Sequence, residues 1–162
     1  MSYSAEQDRL LLRVGTTDKK EYQLMLARRF VRVLWAALIR VLEKQPDLMP
    51  KVKKAVMAME HQKAVSDADF SRKHEKGYQN LTPGLDPLLV VGGSVEPGNG
   101  GPTRLLLKTQ TGSKIKLALN KNLLHALCKL LIETTMKAGW DLGLTVGDAA
   151  SLAAPADKTQ VH

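Results

Sequence analysis

One stretch of this chain returns later in it, and that return limits the fold more than any other feature. Arg9-Leu-Leu-Leu-Arg13 comes back as Arg104-Leu-Leu-Leu-Lys108, and Tyr22-Gln-Leu-Met-Leu26 as Ile115-Lys-Leu-Ala-Leu119. Phe30-Val-Arg-Val-Leu34 comes back as Leu123-Leu-His-Ala-Leu127, and Leu38-Ile39 as Leu131-Ile132. The shift is 95 residues in the first block and 93 in the others, so the first copy has two more residues in its turn. Whatever one copy folds into, the other has the residues to fold into as well.

Within each copy the apolar residues change period. Residues 9–14 and 21–26 alternate, as do 104–109 and 114–119, which is the pattern of half-buried strands. Gly15-Thr-Thr-Asp-Lys-Lys20 and Gln110-Thr-Gly112-Ser are short polar connections containing glycine, so each pair of strands reads as a hairpin. After each hairpin the spacing becomes helical. Asn120 is placed to cap the second helix, with Leu123, Leu127, Leu130, Leu131 and Thr134 on one face. Gly139 ends it, and Trp140 is placed to fold back in a Schellman cap. The first-copy helix spans about residues 28–44, stopped by Pro46.

Between the copies, Pro50 suits a first helical turn. Val52, Val56, Met59 and Val65 follow at helical spacing, and Ser66-Asp67 offers a second cap for a piece reaching Tyr78. One helix or two are both open. Leu88-Leu-Val-Val91 reads as a strand, with Gly92-Gly93 marking a bulge or bend.

The expected fold class is therefore α+β. It has an internally duplicated ββα unit, an antiparallel sheet of about five strands, helices on one face and a helical insertion between the copies. The expected organisation is one domain over residues 1–145. Copy one is 9–44, the insertion 47–80, the extra strand 87–95 and copy two 104–139, with the copies related by a pseudo-two-fold axis. Residues 146–162, small and polar, read as a disordered tail.

Composition narrows the function classes. No apolar run reaches the ~20 residues of a membrane span. The first residues do not pattern as a secretory signal, and a single cysteine, Cys128, makes no internal disulfide. A cytoplasmic protein without membrane partners is the expectation. The net charge is +8. Residues 9–44 and 104–137 each carry +6, residues 45–103 are neutral, and the two ends together carry −4. Positive charge concentrated in both copies favours a polyanionic partner.

Catalytic patterns are missing. There is no P-loop, dinucleotide fingerprint, zinc-protease motif, CxxC or nucleophile elbow. Gly92-Gly93-Ser94 and Gly98-Asn-Gly-Gly101 join two strands rather than a strand and a helix, so they read as a hairpin loop and not as a phosphate cradle. His61 and His74 fall near one helix face, and His125 and Cys128 near another, without the ligand spacing of a zinc site. Cys128 aligns with Trp35, which marks a packing position. The expectation is a chain that is not an enzyme, with no catalytic residue, metal or cofactor.

Alternation leaves one sheet face uncovered. Arg9, Arg13, Arg104, Lys108, Lys114 and Lys116 fall on it and are the candidate nucleic-acid contacts. Leu11, Met25 and Leu106 fall among them and are the candidate interface residues. The expected function is a basic binding module for nucleic acid, without sequence preference because no aromatic platform is assigned to that face. The alternative is a protein-interaction module (a homodimer, an adaptor or a chaperone for an acidic protein) using the Leu/Met patch of the same face.

Overall fold

A computed structural model describes residues 1–15, 20–44, 50–67 and 86–147. The chain runs β1 (Ser2–Ser4), β2 (Arg9–Gly15), β3 (Glu21–Ala27), α1 (Arg28–Leu42), α2 (Pro50–Asp67), β4 (Leu88–Glu96), β5 (Thr103–Thr109), β6 (Lys114–Leu119) and α3 (Lys121–Lys137). The strands form one six-stranded sheet in the order β1-β2-β3-β4-β5-β6. The α+β class and both hairpins are as the sequence predicts.

Three expectations about the sheet need correction. It has six strands, because Ser2–Ser4 pairs with the start of β2. It is mixed rather than antiparallel, because β3 and β4 run parallel through Leu24–Leu88, Met25–Leu89 and Leu26–Val90. Residues 28–87 lie between these strands, and a long crossover of that kind is what parallel neighbours require. Third, the two hairpins keep the same left-to-right order and strand directions in the sheet. They are related by a shift along the sheet, not by a two-fold axis. The helices that follow them also differ in position: α1 packs mainly along β4, while α3 reaches from β6 to β1 and also carries α2.

Alternation sorts the faces as predicted. Leu10, Leu12, Leu24, Leu26, Val90, Leu105, Leu107 and Ile115 join one apolar core with Val31, Leu34, Trp35 and Leu38 of α1 and Leu124, Leu127, Cys128 and Leu131 of α3. Each fully buried leucine contributes ~1.5–3 kcal/mol of transfer free energy. The buried arc of α3 differs from the sequence reading. Leu123 is 51% exposed, whereas His125 and Cys128 are buried, because the helix is packed by the sheet on one side and α2 on another.

The termini of α3 follow the sequence closely. Asn120 Oδ1 accepts from the Leu123 amide at 2.8 Å. Gly139 adopts φ 65°, its amide donates to Met136 O, and the Trp140 amide donates to Thr135 O, both at 3.0 Å. That is the predicted Schellman pair. Trp140 then packs into the core, and its Nε1 donates to Asp8 at 2.7 Å. Asp8 also accepts from the Tyr3 hydroxyl at 2.9 Å and lies 3.6 Å from Arg28. These contacts tie the β1–β2 turn, where Asp8 sits at φ 48°, to the first turn of α1 and the end of α3. The packed chain runs past the expected domain end, since Val146 is buried in the core. The second helical piece after Ser66, the stop at Pro46 and the tail 148–162 lie outside the described residues.

Candidate nucleic-acid interface

The sheet register places side chains on the open face in cross-strand rows. One row runs Gly92–Lys108–Lys114, the next Ser94–Leu106–Lys116, the next Glu96–Arg104–Ala118. Neighbouring strands are ~4.8 Å apart and alternate residues along a strand ~6.8 Å. Lys108, Lys114 and Lys116 are exposed and directly adjacent, and no acidic residue occupies either of their rows. Arg104 is exposed too, but pairs with Glu96 at 3.6 Å, a surface contact worth little.

Arg9 and Arg13 lie on the same face, on β2. The core-side row Leu10–Leu26–Val90–Thr109 is continuous across four strands. The next row therefore holds Arg9 and Ala27 at one end and Lys108 and Lys114 at the other, with the β4 bulge between Val90 and Gly92 in the middle. Three strand spacings, about 14 Å, separate Arg9 from Lys108. The six basic residues thus share a face, as alternation predicts, but in two groups. Arg13, beside Gln23, lies at the far end of the first.

The interface residues are not one patch. Leu11, Met25 and Leu89 form a row on the open face, and Met25 at its centre is only 8% exposed. Leu106 stands apart between Ser94 and Lys116. Met25 thus offers almost no surface to a partner. None of the described aromatic residues faces this side: Tyr3 pairs with Leu10 and Tyr22 with Val14, both on the core face.

One cluster was invisible in the sequence. His61 of α2 and His125 of α3, 64 residues apart, bring their Nδ1 atoms to 3.0 Å. His125 is 1% exposed and its Nε2 has no hydrogen-bond partner. Burial, helped by His61 and Lys121 and opposed by Glu60, lowers His125 to about 4. Burial and the Lys129 charge lower His61 as well. Glu60 itself holds Lys121 at 2.9 Å. Cys128, completely buried, has its thiol pushed up to about 12 by desolvation, so it carries almost no thiolate near neutrality. His74 lies outside the described residues. Among the described residues no three His, Cys, Asp or Glu side chains gather as a metal-holding group, and no helix is long and apolar enough to cross a membrane.

Comparison of the chain with protein-family models, with curated proteins and with solved structures finds no significant match.

Proposed function

We propose that the chain is a non-enzymatic binding module whose open sheet face takes the phosphates of a nucleic acid. The observation that carries this reading is the Lys108–Lys114 pair. The two lysines are direct cross-strand partners, and like charges in that position destabilise a sheet. Lys116 adds a third charge one row away, with Gly92 and Ser94 as the uncharged members of the two rows. A sequence optimised only for folding would place an acid opposite Lys108, and a bound polyanion removes the repulsion. With no described aromatic residue on this face, contact is to phosphate and sugar, so affinity depends on salt and little on sequence.

The test is fluorescence anisotropy with mixed single-stranded and duplex oligonucleotides at several salt concentrations. Charge reversal at Lys114 and Lys116 is expected to weaken binding equally for all sequences. It should also flatten the log–log salt dependence by roughly one unit for each phosphate no longer neutralised. Absence of binding at low salt, where electrostatic attraction is strongest, overturns the reading. The remaining alternative is a protein partner on the same face. It is favoured by the half-buried Leu11 and Leu106 and predicts that Leu106→Asp breaks a complex or homodimer without disturbing the fold.

A further inference from the structure

The second feature of this sheet lies at its interior, where β3 stops short. β4 runs from Leu88 to Glu96, but β3 pairs with it only from Leu88 to Val90. At Ala27 the chain leaves the sheet and enters α1. Beyond Val90 the β3-side edge of β4 pairs with no described strand, although the strand continues for six residues and its other edge is held by β5. Among the described residues nothing pairs with this row of main-chain donors and acceptors in the middle of the sheet, a position where such groups are usually paired.

A cavity of about 450 Å³ lies along this edge. It touches every residue from Leu89 to Val95, which belong to both faces of the strand, so it runs along the edge rather than over either face. Its opposite wall is α1, through Phe30, Val33, Leu34 and Ala37. Val33 and Val91 are 62% and 61% exposed on its two sides. Leu105 lies at the floor. Among the described residues, Arg9 and Arg29 are the only charged ones lining the cavity, and neither has an ion-pair partner there.

We propose that this groove takes an extended segment of a partner protein, added as a strand along Val91–Glu96, with apolar side chains against Phe30 and Val33 and a carboxylate on Arg29 or Arg9. Three observations select this occupant. The open main-chain edge asks for a β-strand, which supplies matching N–H and C=O groups where a lipid or a nucleic acid does not. The alternating apolar contacts of such a strand fit a groove with apolar walls. The two arginines, with no acid among the described residues of the lining, call for negative charge from the incoming segment. This site adjoins the lysine cluster through Arg9, Gly92 and Ser94, but none of its lining is a lysine and it does not depend on nucleic-acid binding.

The experiment is selection of random linear peptides against the full chain, followed by backbone-amide hydrogen exchange with and without the selected peptides. The expected peptides alternate apolar and polar residues and carry an Asp or Glu, and they slow exchange in Val91–Glu96. Val33→Asp and Arg29→Glu, both at exposed positions, are each expected to weaken binding about tenfold or more, a change of ~1.4 kcal/mol. Lys114→Glu should leave it unchanged. Circular dichroism and the thermal midpoint check that both groove variants fold. The proposal is overturned if no peptide is enriched, if selected peptides bind both groove variants as well as the wild type, or if protection falls outside Val91–Glu96. It is also overturned if the free chain is a dimer with those amides already protected, which makes a second copy the occupant. The same holds if a fatty acid such as dodecanoate fills the groove and the selected peptides do not compete with it.

Discussion

His125 shows how a residue's role follows from what packs on it rather than from its neighbours in the chain. In sequence it sits three residues from Cys128 near one helix face, with no catalytic role expected of either. In the fold, the thiol is sealed in the core and the imidazole meets His61 of another helix. One ring must accept at Nδ1 while the other donates, so the contact cannot survive when both rings are protonated. The ordinary histidine value is 6.5, and His125 is lowered to about 4. Between these values the unfolded chain binds more protons than the folded one, so stability falls as pH drops from about 6.5 towards 4. Urea midpoints at pH 7 and pH 5 should show the loss, and His125→Gln should reduce it. A pH-independent midpoint in the wild type would contradict the buried, neutral state. Asp8 acts at lower pH. The Trp140 and Tyr3 hydrogen bonds hold its carboxyl below 3.8 against a smaller desolvation effect. Its contribution is present above that value and lost as pH falls through the lowered one.

At the scale of elements, most of what is local was legible in the sequence. The hairpins follow from period-two alternation and the α3 termini from Asn120 and Gly139. The β4 bulge follows from paired glycines. Removing the cap by Asn120→Ala is expected to cost ~1 kcal/mol, read from chemical denaturation. The bulge makes a sharper demand. A Cβ on Gly93 would come 2.3 Å from Leu106 O, a backbone atom that cannot move aside alone. Gly93→Ala is therefore expected to destabilise the β4–β5 pairing, while Gly92→Ala, with nothing within 4 Å, is tolerated. Equal thermal midpoints for the two variants would refute that register. What the sequence hid is non-local. Ser2–Ser4 is too short and polar to read as a strand. The parallel partner of β3 lies beyond a crossover of sixty positions, from 28 to 87, and alternation cannot say which edges meet across it. For that reason the placement of the basic residues on one face was legible, but the row joining Arg9 to Lys108, the burial of Met25 between Leu11 and Leu89, and the α1–β4 groove were not.

For the whole molecule, charge and stability oppose each other. Residues 9–44 and 104–137 each carry +6 in a chain of +8, and the fold gathers lysines of β5 and β6 onto a face that no described helix covers instead of spreading them. If that concentration serves binding, the same lysines should weaken the fold and strengthen the complex. Lys114→Glu turns the like-charged partner of Lys108 into an opposite one. The folded state is then expected to gain a few tenths of a kcal/mol, up to ~1 kcal/mol, while affinity for an oligonucleotide falls. Salt should act on the wild type in the same sense. Raising it screens the lysine repulsion and releases the advantage of counterion displacement, so the denaturation midpoint rises as binding weakens. Paired urea titrations and anisotropy measurements across one salt series decide the matter. Opposite slopes support a surface maintained for a polyanion at the fold's expense. A Lys114→Glu variant less stable than the wild type, with unchanged affinity, would show that these lysines serve the sheet and not a ligand.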